Sequence, residues 1–190
     1  MLARRSPKND GPPRPGVDEA AWEERIRNSR AKKDEAFKQP GSPVEGQDFE
    51  GLVYFDPDNR YRFVTELVEE EPQTLRIPRT GGDEVEYVRV GHFKLDTPDG
   101  EVQLAGYSSE AYGKALWVPF RDATSGSETY GAGRYVEAKP LQSGRWYLDL
   151  NQAYHPYCAY NEAFTCPMVP FENHLKVPIP AGEKLGPNTH

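Results

Sequence analysis

Short apolar runs separated by strong turn signals extend through most of this chain, and this pattern limits its possible folds more than any other feature. Turn sequences rich in Asp, Pro, Asn, Ser and Gly occupy residues 56–59, 98–100 and 143–144. The 18 prolines and 17 glycines among 190 residues fit such frequent turns and argue against a fold dominated by long helices. Short strands joined by hairpin turns predict a mainly β fold, a single antiparallel β-barrel or sandwich domain.

Apolar and polar residues alternate in the runs between these turns, giving about nine short predicted strands. These strands lie within the segments 52–55, 61–67, 85–95, 102–104, 116–120, 133–138, 145–151 and 175–179. His92 has the opposite phase to Phe93, so we expect it to be a half-exposed strand residue. No internal repeat is present, and a single domain is sufficient for a chain of this length.

The composition divides the chain into three parts. Residues 1–16 are rich in proline and charge and predict a disordered arm. Residues 17–40 predict an N-terminal helix, and residues 41–190 predict the β domain. Two long polar loops, 121–133 and 152–174, are expected at one end of that domain.

The helix has clear start and stop signals but a narrow apolar face. Asp18 can cap its first turn, and Pro40 forbids its continuation. Trp22, Ile26 and Phe37 fall on one side. A helix with such a narrow apolar stripe is expected to lie across the surface of the β domain.

Charge and hydropathy exclude several classes of protein. The net charge of -7 argues against nucleic-acid binding, which requires clustered Lys and Arg. No run of residues is apolar enough to span a membrane, and the basic N-terminus is not followed by the apolar segment of a secretory signal. We therefore expect a cytoplasmic protein that binds neither nucleic acid nor membrane.

Polar residues, aromatics and glycines are concentrated in two stretches, 120–135 and 149–173. The candidate ligand-binding residues are Arg121, Asp122, Thr124, Ser125, Thr129, Tyr130, Arg134, Asp149, Asn151, Tyr154, Cys158, Tyr160, Glu172 and Asn173. An arginine fork binds carboxylate or phosphate groups, and hydroxyl groups can hold the remaining oxygens. The stretches predict a site for a small polar or anionic molecule.

The same residues have a structural interpretation, in which the arginines pair with acidic side chains and hold the loops in place. Under either interpretation the two loops should meet. We expect Arg121, Arg134, Asp149, Asn151 and Glu172 to be largely buried and in contact across the loops.

Two cysteines and two histidines lie close together in the second loop. His155, Cys158, Cys166 and His174 have spacings that would permit a tetrahedral zinc site, although the gap between the cysteines is wider than usual. A disulfide between Cys158 and Cys166 is another possibility, and reduced, buried thiols are the favoured state. No metal site is assigned.

Known catalytic and cofactor motifs are missing. Ser125 is not in a Gly-x-Ser-x-Gly sequence, and Cys158 with His155 gives no defined nucleophile–base geometry. The Gly131-Ala132-Gly133 sequence lacks the last glycine of a dinucleotide fingerprint and the surrounding βαβ unit. No cofactor is predicted.

The second loop is also rich in aromatic residues. Tyr154, Tyr157, Tyr160, Phe164 and Phe171 could stack on a flat ligand or line a pocket. The favoured interpretation is that a loop of this length packs around its own small core.

The motifs at 120–135 and 149–173, followed by Ala181-Gly182-Glu183-Lys184, resemble the family catalogued as domain of unknown function 1684. Six earlier residues resemble its opening pattern, namely Asp34, Phe37, Phe49, Gly51, Leu52 and Phe55. The resemblance covers residues 30–185 and implies an uncharacterised bacterial and archaeal family with no catalytic assignment. It also disfavours zinc, because histidine is not a regular feature of that family at positions 155 and 174.

Three functions remain open from the sequence. The first is a binding module for a small polar or anionic molecule, based on the arginines and hydroxyl groups. The second is an enzyme acting on such a molecule through acid–base carboxylates, with Asp122, Asp149 and Glu172 as candidates. The third is a structural or protein-interaction domain. The oligomeric state is not predicted.

Overall fold

The computed structural model describes residues 18–190, so the disordered arm predicted for residues 1–16 lies outside the described part. The helix α1 spans Glu19–Phe37. Asp18 caps it as expected, accepting a hydrogen bond from the Ala20 amide at 3.1 Å. The helix ends before residue 40 because a residue preceding proline is driven out of the helical conformation, and Pro40 imposes this on Gln39.

α1 buries the three side chains expected from its sequence, Trp22, Ile26 and Phe37. The rest of its surface is largely polar, so it lies on the β domain rather than within a core. No helix within residues 18–190 has the length and apolar character needed to cross a membrane.

Nine strands follow the helix. They are β1 (Val53–Tyr54), β2 (Arg62–Thr65), β3 (Leu67–Pro78), β4 (Glu84–Thr97), β5 (Gly100–Ser108), β6 (Leu116–Phe120), β7 (Arg134–Pro140), β8 (Trp146–Asp149) and β9 (Glu183–Lys184). Seven of them form one antiparallel sheet in the order β2-β8-β7-β6-β5-β4-β3, and β1 pairs with β9. The sheet curls into a half-barrel with β2 and β3 at its edges, which confirms the mainly β prediction.

The β3–β4 hairpin is longer than the sequence predicted. Apolar alternation stops after Leu67, yet β3 continues through consecutive glutamates and Pro72. The register shifts between Glu69 and Gln73, and proline is tolerated because β3 is an edge strand. Gly91 of β4 fits this irregular region, since a Cβ there would lie 2.2 Å from the Val68 carbonyl oxygen.

The strand predicted at residues 175–179 is absent from the described sheets, and this prediction is wrong. Pro178 and Pro180 lack amide donors and cannot join a regular ladder. The segment is instead extended coil held by the first polar loop. The Ala123 amide donates to the Val177 carbonyl at 3.1 Å, and the Ile179 amide donates to a carboxylate of that loop.

Three apolar clusters support the sheet and the helix. The largest contains Phe93, Leu104, Val118, Phe120 and Leu148 among its buried members. A second cluster is aromatic and includes Tyr87, Tyr107, Trp117 and Tyr135. The third joins Phe37 at the end of α1 to Tyr160 of the second polar loop. The helix is thereby fixed against the loop that sequence analysis singled out.

Candidate functional site

Arg134 at the start of β7 is completely buried. Its guanidinium donates to the carbonyl oxygens of Ile179 at 2.8 Å and Glu183 at 3.3 Å, and also to that of Ala181. It forms an ion pair with Asp122 at 3.2 Å. Arg134 therefore holds the segment before β9 against the loop after β6, as a buried charge with its own partners does.

Asp122 and the neighbouring hydroxyl groups complete this cluster. Asp122 Oδ2 accepts from the Ile179 amide at 2.7 Å and from Thr124 Oγ1 at 2.8 Å. Thr124 Oγ1 also lies 2.9 Å from Thr129 Oγ1. The Asp122 amide donates to Ser125 Oγ at 3.1 Å. Asp122 and these hydroxyl groups bond to one another, and Arg134 Nε is buried without a partner in the described chain, so the main role of the cluster is to stabilise the two segments.

Asp149 and Asn151 form a separate buried cluster under α1. Asp149 Oδ2 accepts from Trp22 Nε1 and from the Tyr147 hydroxyl, both at 2.8 Å. Asp149 Oδ1 accepts from the Asn151 amide at 3.1 Å, and Asn151 Nδ2 donates to the Asp58 carbonyl at 2.8 Å. This cluster attaches the helix to the end of β8.

Glu172 and Asn173 lie apart from both clusters, next to β4 and β5. Asn173 is completely buried and exchanges hydrogen bonds with the backbone of Ala105 in β5. Glu172 points outward, with its side chain 38% exposed, and pairs with Arg89 at 2.9 Å. Arg121 is half-buried, and its backbone amide donates to the Asn173 carbonyl at 3.0 Å.

The prediction of one shared network was therefore only partly right. Arg134, Asp149 and Asn151 are buried as expected, but Glu172 is exposed and Arg121 is only half-buried. The residues divide into distinct clusters because α1, β4 and β5 each supply their own partners. Sequence spacing contains no information about those distant elements.

The two polar loops do meet, as predicted. Besides the Arg121–Asn173 backbone contact, the Tyr130 amide donates to His155 Nε2 at 3.2 Å. The Tyr130 hydroxyl lies 3.9 Å from Cys158 Sγ. His155 is fully buried, and burial lowers its pKa to about 3, so it is neutral. No hydrogen bond joins His155 to Cys158 among the described residues, so the structure gives Cys158 no histidine base.

A cavity of about 540 Å³ opens between α1 and the second polar loop, and we call it the α1 cavity. It is lined by Ile26, Ser29, Arg30, Lys33, Tyr54, Tyr112, Tyr135, Glu137, Asn151, Gln152, Ala153, Tyr154, Pro156, Tyr157, Phe164, Thr165, Cys166 and Glu183. This size lies within the range of small-molecule sites. Of the fourteen candidate ligand-binding residues, Asn151 and Tyr154 line it.

Arg30 of α1 supplies a positive charge to one side of the α1 cavity. Its guanidinium donates to the Phe55 carbonyl at 2.9 Å and lies 4.4 Å above the Tyr54 ring. None of the carboxylates among residues 18–190 is within ion-pair distance of it. Burial is the main cause that lowers the pKa of Arg30, as expected for a cation taken out of water.

Lys33, one turn further along α1, reaches into the same cavity. Its ammonium group pairs with Glu183 of β9, and it lies 5.0 Å from the centre of the Tyr154 ring. Glu183 is buried and also accepts from the His155 amide at 2.7 Å and from the Tyr160 hydroxyl at 2.9 Å. Glu183 therefore links the helix, β9 and the second polar loop.

Tyrosines supply most of the aromatic wall. The Tyr54 hydroxyl is buried without a hydrogen-bond partner in the described part of the chain. Tyr154 donates to Glu137 Oε1 at 2.6 Å, and the Tyr135 ring lies edge-on to Tyr154 with ring centres 5.9 Å apart. Burial raises the pKa of Tyr54 and of Tyr154, so both keep their protons and remain hydrogen-bond donors.

Cys166 lies on the wall of the α1 cavity, and both cysteines are free thiols. The Cys158 amide donates to Cys166 Sγ at 3.3 Å. Hydrogen bonding from the Cys158 thiol, followed by these backbone donors, lowers the pKa of Cys166 to about 7. The same pairing and burial raise the pKa of Cys158. Of the two thiols, Cys166 is thus the one whose ionised form is favoured.

The zinc ligands considered from sequence are not assembled. In the stretch 18–190, no group of three or more His, Cys, Asp and Glu side chains has the arrangement of a metal site. His155 accepts from the Tyr130 amide, and His174 Nε2 lies 3.3 Å from the Val169 carbonyl oxygen.

Sequence reasoning missed Arg30, Lys33 and Glu183 as site residues. A usable signal was present, because Ile26, Arg30, Lys33 and Phe37 follow one another at helical spacings of three and four residues. The two cations thus continue the apolar stripe of α1. A charge in line with a buried face points to a polar cavity beneath the helix.

Comparison with protein-family models matches residues 47–184 to a protein family of unknown function, DUF1684. The chain belongs to this family. Among solved structures, it is similar to an uncharacterised protein of Haloarcula marismortui studied in solution by NMR, with 34% identity and a TM-score of 0.66. The match covers 87% of this chain and 95% of the archaeal one. No curated protein matches the chain.

Proposed function

We propose that this DUF1684 protein binds a small molecule that carries an anionic group on a planar or apolar body, in the α1 cavity. The observation that carries the proposal is Arg30, a half-buried cation on the cavity wall with no carboxylate partner in the described chain. An anion bound there would supply the missing charge. The electrostatic attraction between this anion and Arg30 would be stronger than in water because the site is partly desolvated.

The remaining wall suits the rest of such a ligand. Tyr112, Tyr154 and Phe164 provide flat apolar surface, and aromatic faces bind planar molecules well. The Arg30 guanidinium lies 4.4 Å above the Tyr54 ring, and the Tyr54 hydroxyl, which is buried without a partner in the described chain, would add a hydrogen-bond donor for a ligand. A buried donor without a partner costs about 1 to 3 kcal/mol, which a ligand oxygen would recover.

Thermal unfolding with four small probes tests this assignment. We expect benzoate and phenyl phosphate to stabilise the protein more than acetate and inorganic phosphate, because the first pair fills both the cationic and the aromatic parts of the α1 cavity. A ligand at a hundred times its dissociation constant should add about 2.7 kcal/mol to the free energy of unfolding.

Two variants make the test specific. Arg30→Met keeps an apolar side chain of similar length but removes the cation, and it should abolish the response to benzoate. Arg27→Met is the matched control, because Arg27 is exposed on the same helix and does not line the cavity. An equal response from neutral benzyl alcohol, or an unchanged response in Arg30→Met, would refute the proposal.

An enzyme using the same cavity is the second candidate, and Cys166 favours it. The contact with the Cys158 thiol lowers the pKa of Cys166, which favours the thiolate, and the thiolate is the nucleophilic form. Cys166 faces the cavity that contains Arg30, so an anionic substrate held by Arg30 would be within the same enclosure. Covalent labelling of Cys166 that is blocked by benzoate would place the two groups in one functional site.

A further inference from the structure

A second cavity, of about 280 Å³, lies next to the α1 cavity and shares Ile26, Ser29 and Gln152 with it. It is lined by Trp22, Arg25, Ile26, Ser29, Arg62, Tyr147 and Gln152, and we call it the Trp22 cavity. The helix α1 forms one wall, and β2 and β8 form the other. It takes no part in the function proposed above.

Arg62 of β2 is the notable group in this cavity. Only 5% of the residue is exposed, although its position in the alternating sequence predicted a polar, outward side chain. Its guanidinium lies 5.0 Å from the centre of the Trp22 ring. Its Nη1 is buried and has neither a hydrogen-bond acceptor nor an ion-pair partner among residues 18–190.

The carboxylate across from Arg62 on the neighbouring strand already has other hydrogen-bond donors. Asp149 stands opposite Arg62 in the β2–β8 register. Its oxygens accept hydrogen bonds from Trp22, Tyr147 and Asn151 at 2.8 to 3.1 Å. No ion pair forms between Asp149 and Arg62. A buried guanidinium nitrogen without an acceptor is costly, and an external anion would supply that acceptor.

Arg25 adds a second positive charge to the same cavity. It is exposed on α1, lines the cavity, and makes no ion pair within the described residues. Tyr147 also lines it. Two guanidinium groups on facing elements can clamp one oxyanion, since each presents paired donors.

We infer that the Trp22 cavity is a binding site for a compact oxyanion, either a phosphate group or a carboxylate. Arg62 is the buried donor and Arg25 the exposed one. A monoatomic halide does not match two planar forks, whereas phosphate and carboxylate oxygens do. The cavity is too small for the aromatic body proposed for the α1 cavity to enter with the anion.

Indole NMR signals provide a local readout of this binding. The protein has 3 tryptophans, and only Trp22 lines the Trp22 cavity. Trp117 belongs to the aromatic cluster of the sheet, and Trp146 packs on Phe93. Titration with inorganic phosphate should shift the Trp22 indole signal progressively and leave the other two in place. A parallel titration with acetate distinguishes a carboxylate site, and sodium chloride at equal ionic strength controls for screening.

Variants separate a binding role from a structural one. Arg25→Gln should weaken phosphate binding about tenfold through loss of one charge-assisted donor pair, and Lys32→Gln, which removes an exposed charge from the same helix, should not. Arg62→Met should abolish phosphate-dependent stabilisation while leaving the anion-free protein at least as stable. If Arg62 were only structural, Arg62→Met would unfold more easily and any phosphate effect would be unchanged in Arg25→Gln.

The inference is overturned if neither phosphate nor acetate shifts the Trp22 signal with a dissociation constant below about 10 mM. It is also overturned if all three indole signals move together with ionic strength. The α1 cavity proposal is tested separately, with benzoate and Arg30→Met. A negative result for the Trp22 cavity therefore leaves that proposal unaffected.

Discussion

His155 shows how burial at a single residue sets a pH dependence. The imidazole is fully buried beside Lys33 and Arg134, and its pKa is lowered to about 3, mainly by burial. In the unfolded chain a histidine binds a proton near pH 6.5. Below that pH the unfolded state gains a proton that the folded state does not, so stability falls as the pH drops from 6.5 towards 3.

We expect this histidine alone to cost the protein about 2 to 3 kcal/mol of stability at about pH 4.5, relative to neutral pH. Denaturant unfolding of the wild type and His155→Gln across this range isolates its share. At neutral pH the variant should be less stable than the wild type, because the Tyr130 amide loses its imidazole acceptor. Its free energy of unfolding should, however, fall less on acidification. Parallel curves for the two proteins would show that His155 is not the group responsible.

Cys166 provides a second test at the residue scale. Its alkylation by iodoacetamide should follow a thiolate fraction with a midpoint near the lowered pKa of about 7. Cys158→Ala removes the main cause of that lowering and should move the midpoint upward, towards the ordinary value of 9.0. Mass spectrometry of the labelled peptide identifies the site, and Cys166→Ala should lack the fast reaction. A wild-type midpoint near 9 would contradict the thiol–thiol contact.

The burial of a single residue could be predicted where the local sequence pattern determines it. The burial of Trp22 and Ile26 follows from helical spacing, and the half-exposure of His92 follows from strand phase. Arg62 was not predictable, because strand alternation places it outward and only the covering helix buries it. Glu172 failed for the opposite reason, since its partners are Arg89 of β4 and the Tyr107 hydroxyl of β5, and its side chain stays 38% exposed.

At the scale of elements, α1 is attached to the sheet chiefly through isolated polar contacts. The Trp22 indole donates a hydrogen bond to Asp149, and the Arg30 guanidinium donates one to the Phe55 carbonyl. The Asp34 carboxylate accepts from the Leu52 amide at 3.1 Å. Few buried apolar side chains accompany them. Elements with such sparse apolar burial open at lower free energy than the rest of a fold.

Hydrogen exchange measured by mass spectrometry should therefore show α1 amides exchanging about tenfold faster or more than those of β4 and β5. Trp22→Phe, which removes the donor to Asp149, should accelerate exchange in α1 and leave β4 unchanged. Arg27→Gln is the control, because its contact with Glu23 stays within the helix. Equal protection of α1 and β4 would mean that helix and sheet unfold as one unit.

The elements themselves were predictable to different degrees. β6 was placed with correct bounds, because its continuous apolar run is bordered by polar residues. β3 was cut short, since its charged second half is stabilised by pairing with β4 rather than by its own pattern. The false strand at 175–179 had the right alternation, but its prolines prevent regular pairing.

At the scale of the whole molecule, the sequence predicted the class of fold but not the order of the strands in the sheet. Which strands become neighbours depends on pairings such as β2 with β8, which lie far apart in the chain. The α1 cavity arises only where the helix, β7 and the second polar loop come together. Its position therefore could not be derived from any one segment, although the loop that forms one side was singled out.

The irregular edge of the half-barrel has a consequence for how copies of this chain behave next to one another. β3 leaves one side of a long strand unpaired, and such a strand normally recruits strands from other chains. Its three consecutive glutamates would bring like charges together in a strand added from a second copy, and Pro72 supplies no amide to such a ladder. A strand added from a second copy at this acidic, bulged edge would therefore meet charge repulsion and lack one backbone hydrogen bond, which disfavours edge-to-edge pairing.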